Sequence, residues 1–201
     1  MSFQYITIER EYGSGGTKIA RRLAEECGIS CYGEEILEAV SKKLDIPVEQ
    51  IQKYEESVSN SFLYTVFMMS RAQEGSADML SGEGHIFVAE QQQIKNLAAS
   101  GPAVFIGHCA SEALKDRNVV KVFIRCSDSK EKAKRIAEDY GIDPKSIEST
   151  RIRFDNKRSK YYYANTTQKW EDLKNYDIVL DSAKLGIDGC VAVLSSLINK
   201  K

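Results

Sequence analysis

The sequence lacks several features that mark whole classes of protein. It has only three prolines, no low-complexity tract and no internal repeat, which argues against flexible linkers and repeat architectures. No stretch approaches the roughly eighteen consecutive apolar residues of a membrane span, and no basic segment followed by an apolar run opens the chain. We therefore expect a single domain over residues 1–201, located in the cytoplasm and without a membrane partner.

Paired cysteines and an excess of one charge are also missing. The five cysteines include no C-x-x-C pair, and their odd number argues against a disulfide framework, so reduced core thiols are expected rather than a metal site. The 28 basic and 29 acidic side chains almost cancel, so no overall field attracts nucleic acid. An anion site would have to be built locally, and we do not expect a nucleic-acid partner.

Apolar segments alternate along the chain with stretches of helical periodicity. The predicted strands are Tyr5 to Ile8, Pro102 to Gly107, Val119 to Ile124 and Tyr176 to Asp181. The predicted helices include Glu34 to Leu44, about Ile86 to Ala99, one that Asp128 or Ser129 caps and Gly141 ends, and Ile187 to Ile198. Because strands that alternate with helices form a parallel sheet covered on both faces, the expected fold class is α/β.

Residues 5 to 20 combine a short strand, a glycine-rich turn and the start of a helix, an arrangement that proteins use to bind phosphate. The turn nearly matches the P-loop pattern G-x-x-x-x-G-K-[ST], except that Gly16 stands where lysine is expected, immediately before Thr17. Thr17 would then supply the hydroxyl group that faces Mg²⁺. The expected donor-binding residues are Gly13, Ser14, Gly15, Gly16, Thr17 and Lys18.

Two residues could supply the charge of the missing lysine. Lys18 lies one position late, about 100° around the helix from the expected place, whereas Arg10 lies just before the turn. We favour Arg10. A tight strand-to-helix turn that binds no ligand is the alternative interpretation, since glycine-rich segments often serve only as bends.

Residues 151–163 carry five cationic side chains and one carboxylate in a chain that is otherwise nearly neutral. Arg151, Asp155 and Arg158 can share one helix face, where Asp155 would orient the two arginines. Arginine forks suit phosphate oxygens, although a solvated charged helix is the alternative. The expected catalytic cations here are Arg151, Arg153, Lys157 and Arg158.

An apolar cluster, Phe62 to Met69, interrupts the polar stretch between Tyr54 and Gly82. It could cover a substrate, contact a second subunit in a homodimer, or pack in the core. The sequence leaves these three alternatives open.

Four segments together resemble the cytidylate-kinase-like family of P-loop nucleoside monophosphate kinases: Ile8 to Gly16, Asp155 to Tyr162, Lys169 to Asp172 and Asn175 to Leu180. The resemblance spans nearly the whole chain. It implies a P-loop NTPase-type sheet, a helical acceptor-binding insertion at 33–98 and an arginine-bearing lid at 142–165. It also implies transfer of the γ-phosphoryl group of ATP, with Mg²⁺, to a nucleoside monophosphate such as CMP or dCMP.

The chain departs from true cytidylate kinases in three places. Gly16 replaces the P-loop lysine, and Gly107-His108-Cys109 replaces a Gly-Arg-Asp segment near the acceptor. Tyr32 to Leu37 replaces an acceptor-binding segment rich in Asp, Ser and Arg. CMP specificity therefore does not transfer, and Gly107 and His108 are the expected acceptor contacts, unless His108 is a plain surface residue.

Three hypotheses on function follow. The first is a phosphotransferase that acts on a nucleotide or a similar small acceptor, and it is the one we favour. The second is a nucleotide-binding regulatory protein whose catalysis is impaired, because the loss of one preorganised charge typically lowers a rate by about 10²–10³. The third is an assembly role through the apolar cluster.

Overall fold

The structure is a computed structural model that describes residues 3–57 and 82–198. In these ranges, five strands form one parallel sheet in the order β2-β3-β1-β4-β5. Their bounds are β1 Tyr5–Arg10, β2 Ser30–Tyr32, β3 Ala103–Ile106, β4 Val119–Arg125 and β5 Ile178–Asp181. The apolar cluster Phe62 to Met69 lies outside the described residues, so its three interpretations stay predictions.

Helices connect the strands and cover the sheet. The described α-helices are α1 Gly16–Cys27, α2 Glu34–Leu44, α3 Val48–Ser57, α4 Gly82–Ala99, α5 Ala110–Ala113, α6 Ser129–Tyr140, α7 Ile147–Thr166 and α8 Ser182–Ser195. Short 3₁₀ turns at Pro144–Ser146 and Leu173–Asn175 lead into α7 and β5. None of the helices in the described ranges is long and apolar enough to cross a membrane.

The apolar side chains of the sheet alternate between its two faces, and each face is covered. Ile6 and Ile8 of β1 pack in one cluster with α1 and α8. On the other face, Phe105 of β3 packs with Ile36 of α2 and Ile94 of α4. The predicted α/β class, a parallel sheet with helices on both faces, is therefore confirmed. The five cysteines are free thiols, and four of them are buried, as expected of core thiols.

Helix ends follow the local sequence signals in most places. Asp128 caps α6 by accepting hydrogen bonds from the N–H groups of Lys130 and Glu131, and Gly141 ends this helix with a φ of +63°. The last helix was predicted to begin at Ile187, and its main segment does follow the kink at Gly186. A short helical segment that was not predicted precedes the kink: it begins at Ser182 and is capped by Asp181, and Gly186, whose φ of +67° is not helical, separates the two segments.

The carboxyl ends of β1 and β3 lie side by side at one edge of the sheet. Ile8 pairs with Ile106, so the chain leaves β3 at Gly107 beside Glu9 and Arg10 at the end of β1. Ligands of open α/β sheets bind beyond the carboxyl ends of the strands. This edge, with the glycine turn and the Gly107 segment on it, is where the candidate site lies.

Candidate functional site

The glycine turn between β1 and α1 has the backbone geometry of an anion site. Gly13 and Gly15 have φ values of +77° and +76°, in the left-handed region that favours glycine. No described group accepts a hydrogen bond from their N–H groups, and α1 begins directly after them. Thr17 and Lys18 are exposed in the first turn of α1. Such a turn suits phosphate, and the Thr17 hydroxyl is an oxygen ligand that Mg²⁺ accepts.

Two distant helices hold the turn in place. The Ser14 hydroxyl donates to the Glu11 carbonyl at 2.8 Å, and the Ser14 carbonyl accepts from Arg135 Nη1 at 3.0 Å and from Ser182 Oγ at 2.7 Å. Lys132 of α6 also pairs with Glu11 at 2.8 Å. The sequence gives no local signal for these contacts, because Arg135 and Ser182 lie more than a hundred positions away from the turn.

Arg10 occupies the space that a side chain at position 16 would need. A Cβ atom added to Gly16 would lie 2.5 Å from Arg10 Cβ and 2.9 Å from its Cγ, far inside van der Waals contact. The guanidinium group extends to Gly107, where an added Cβ would lie 2.5 Å from Arg10 Nη1. Arg10 Nε is buried and has no hydrogen-bond partner among the described residues. A side chain at position 16 would therefore clash with Arg10 unless one of the two moved.

Helix α7 docks directly onto the glycine turn. Asp155 Oδ1 accepts a hydrogen bond from the Tyr12 N–H at 2.7 Å, and Arg158 Nη1 donates to the Arg10 carbonyl at 3.0 Å. The Tyr12 ring is stacked between Phe154 and Tyr140, with centroid distances of 4.6 and 4.7 Å. Most of the segment predicted as a lid, 142–165, is thus the single helix α7, which lies against the turn.

Asp155 lies between two arginines, as the predicted helix face requires. It is 3.4 Å from Arg151 Nη1 and 3.8 Å from Arg158 Nη1. Burial raises the pKa of Asp155, against the Tyr12 N–H bond and the arginine charges, which lower it. Burial and the nearby charge of Arg10 lower the pKa of Arg158 to about 10. The two guanidinium groups of Arg10 and Arg158 are thus close enough to repel each other, an arrangement that an anion would relieve.

A cavity of about 410 Å³ opens beside these two arginines. Five residues predicted for the site line it together: Arg10, Gly107, His108, Lys157 and Arg158. Arg151 and Arg153 are not among its lining residues; Arg151 pairs with Glu148 at 2.6 Å, and Arg153 lies over the Phe154 ring at 5.1 Å. The glycine turn also lies outside this lining. The catalytic roles of Arg151 and Arg153 remain predictions.

The segment after β3 has an unusual backbone where it borders the cavity. Gly107, His108 and Cys109 have φ values of +70°, +54° and +50° in succession. The His108 carbonyl accepts a hydrogen bond from Gln91 Nε2 of α4 at 3.0 Å. Non-glycine residues in this region cost roughly 1–3 kcal/mol each and cluster at functional sites. The strain was not anticipated, since only the glycine marked the end of the strand.

Sequence reasoning missed several residues that line the cavity. Glu9 is 9% exposed and accepts a hydrogen bond from the Trp170 indole N–H at 3.1 Å. The hydroxyl group of Tyr161 on α7 donates a hydrogen bond to Glu90 of α4. The remaining residues of this group are Glu34, Leu37, Gln52, Cys109, Phe154 and Tyr162. The sequence signal that could have found Glu9 is a carboxylate beside the phosphate-binding turn.

Known proteins resemble this chain in sequence and in fold. A family model described as the cytidylate kinase-like family matches residues 5–184. A curated cytidylate kinase from Methanopyrus kandleri is 28% identical, over 96% of this chain and 92% of that protein. An uncharacterized protein from Eubacterium ventriosum has a solved structure with a TM-score of 0.71 and 26% identity, over 98% of this chain and 99% of that one.

Two kinases of solved structure share the fold at lower identity. A shikimate kinase from Bacteroides thetaiotaomicron has a TM-score of 0.52 and 13% identity, over 96% of both chains. A gluconokinase from Sinorhizobium meliloti has a TM-score of 0.52 and 18% identity, over 98% of this chain and 95% of that one. At these identities the likeness concerns the fold alone, which is the P-loop kinase fold.

Proposed function

Because the chain belongs to the cytidylate kinase-like family, we propose that it is a phosphotransferase that moves the γ-phosphoryl group of ATP to a nucleoside monophosphate or a similar small acceptor. The observation that carries this proposal is the position of Arg10. Its side chain begins above Gly16, where the P-loop lysine is missing, and its guanidinium ends over Gly107 at the cavity. One positive charge thereby lies between the glycine turn, where ATP would bind, and the cavity, where the acceptor would bind.

The donor would bind along the glycine turn. The N–H groups of Gly13 and Gly15 and the amino end of α1 offer hydrogen bonds to its phosphates. Mg²⁺, when bound, neutralises negative charge on the phosphates, and the exposed Thr17 hydroxyl is the residue that would hold it. Ser14 does not compete for these phosphates, since its hydroxyl is engaged with the Glu11 carbonyl.

The transferring group would lie beside Arg10 and Arg158. Phosphoryl transfer depends mainly on alignment and on stabilising charge spread over the equatorial oxygens, and no covalent nucleophile is needed. Arg158 is held by the Arg10 carbonyl and by Asp155, so its guanidinium is oriented before a ligand arrives. Lys157 lines the same cavity and adds a third cation. Groups fixed in advance stabilise developing charge without reorganising.

One observation supports a second candidate function. Gly16 carries no side chain, so the turn lacks the lysine of an ordinary P-loop. If Arg10 does not replace its charge, the protein would bind nucleotide without efficient turnover and would act as a regulatory protein. The arginine pair at the cavity favours the phosphotransferase, since a pure binding protein has no need of a charge between donor and acceptor.

The test is ADP release from Mg-ATP by the purified protein, with and without a panel of nucleoside monophosphates and related small acceptors. We expect release that depends on the acceptor and that falls about 10²–10³-fold in Arg158→Ala, through the loss of one oriented charge. Arg22→Ala is the matched control, because Arg22 is exposed on α1 and pairs only with Asp188 among the described residues. ATP binding without turnover of any acceptor would favour the regulatory protein.

A further inference from the structure

Glu9 is a buried carboxylate of the cavity for which the proposed function has no role so far. It is the penultimate residue of β1, next to Arg10, and it is 9% exposed. The indole N–H of Trp170, itself 2% exposed, donates a hydrogen bond to Oε2 at 3.1 Å. No described residue donates a hydrogen bond to Oε1, and Glu9 lines the cavity. One carboxylate oxygen is therefore anchored, and the other is left for a ligand.

This placement is unusual for a carboxylate. Burying a charged group is costly unless it is paired and hydrogen-bonded, and one neutral indole donor compensates only in part. Glu9 lines the same cavity as Arg158, and its negative charge favours the charged form of that arginine. The other carboxylate of the lining, Glu34, is exposed at the start of α2. Glu9 is thus the carboxylate that lies deep in the cavity.

Whether such a carboxylate assists phosphoryl transfer depends on the acceptor group that attacks the phosphorus. A phosphate acceptor is already an anionic nucleophile, and a buried carboxylate beside it would repel it. A hydroxyl acceptor is a weak nucleophile that must lose its proton as it attacks, and a positioned carboxylate can take that proton. The open oxygen of Glu9, in a cavity that Arg10 and Arg158 also line, fits the second case.

We infer that Glu9 is the general base of the reaction and that the acceptor attacks through a hydroxyl group rather than a phosphate. The inference rests on the proposed function and narrows its acceptor to a hydroxyl compound, such as a nucleoside. The hydroxyl oxygen forms a bond to the γ-phosphorus of ATP while the bond from that phosphorus to the bridging oxygen of the β-phosphate breaks. The hydroxyl proton passes to Glu9 Oε1, and ADP leaves with the bonding pair.

The experiment compares nucleosides with their 5′-monophosphates as acceptors, pair by pair, in wild type and in Glu9→Gln. The amide oxygen of glutamine can still accept from Trp170 but takes up no proton, so the fold contact is kept. Trp170 is the single tryptophan of the chain, and its fluorescence reports whether that contact survives. Glu25→Gln on the exposed face of α1 is the matched control.

We expect the nucleosides to be phosphorylated in preference to the monophosphates. Glu9→Gln should lower kcat by about 10²–10⁴, the usual contribution of a general base, and leave KM within a few-fold. Hydrolysis of ATP by wild type, in which water takes the place of the acceptor hydroxyl, should fall in parallel. That readout does not depend on having found the natural acceptor.

Each other outcome has a distinct meaning. Monophosphates that are the better acceptors, with Glu9→Gln as active as wild type, would overturn the role of Glu9 and leave the phosphotransferase intact. ATP hydrolysis that persists unchanged in Glu9→Gln would also overturn it. If wild type neither hydrolyses ATP nor phosphorylates any acceptor, the proposed function fails, and the inference fails with it.

Discussion

At the scale of single residues, Asp155 connects the charges of α7 to the glycine turn. It accepts the Tyr12 N–H at 2.7 Å and lies within 4 Å of both Arg151 and Arg158. Its side chain is 15% exposed, whereas Glu148, the other partner of Arg151, is 70% exposed. The same ion-pair chemistry thus occurs once in a buried setting and once in solvent, where screening removes most of its effect.

This contrast predicts unequal effects of two equivalent substitutions. Asp155→Asn removes the counter-charge of the buried Arg158, and we expect it to lower the free energy of unfolding by about 1–3 kcal/mol. Glu148→Gln breaks only a solvated pair, and we expect the urea midpoint to stay within error of wild type. Equal midpoints for both variants would show that Asp155 does not hold α7 against the turn.

At the scale of elements, the turn between β1 and α1 depends on close packing as well as on backbone conformation. A Cβ atom added at Gly13 would lie 2.7 Å from Ile136 Cγ1 and 2.8 Å from Lys132 Cγ, both on α6. Gly28, at the end of α1, has a similar φ of +65°, yet an added Cβ there meets nothing within 4 Å. Substitution of the two glycines therefore distinguishes the cost of a left-handed backbone from the cost of a steric clash.

We expect Gly28→Ala to cost about 1–2 kcal/mol of stability, the strain of a left-handed alanine. Gly13→Ala should cost a further 1–3 kcal/mol or so, because α6 must move to admit the methyl group. Thermal unfolding of both variants measures the difference. If both lose the same stability, α6 does not pack tightly on the turn.

Local signals predicted most elements but missed contacts between them. The β-branched runs of β1, β3 and β4 and the periodicity of α2 marked those elements, because burial on a sheet or a helix face imposes a period. The glycine at position 186 correctly marked a break in α8, but the short capped segment at 182–185 ahead of it was missed.

At the scale of the whole molecule, the site joins residues that are far apart in sequence. The glycine turn, the Gly107 segment and α7 were each recognisable as candidates, because glycines and clustered arginines have strong local preferences. The pairing of Glu9 with Trp170, 161 positions away, and of Ser14 with Ser182 could not be predicted, since only the parallel sheet order brings them together. Structure was therefore needed to distinguish the arginines that line the cavity from those that do not.

In the proposed mechanism, Arg10 supplies the charge of the missing P-loop lysine. Exchanging the two positions tests this role: Arg10→Gly, Gly16→Lys and the double variant are compared in ATP binding and ADP release. We expect Arg10→Gly to lose about 10²–10³-fold in turnover. Gly16→Lys alone should be destabilised, because its Cβ would lie 2.5 Å from Arg10 Cβ.

The double variant tests whether a lysine at position 16 can replace Arg10. Removal of the Arg10 side chain frees the space above position 16, so we predict that the double variant is more stable than Gly16→Lys and recovers ATP binding and turnover relative to Arg10→Gly. Wild-type turnover in Arg10→Gly, or a double variant no more active than Arg10→Gly, would show that Arg10 does not replace the lysine.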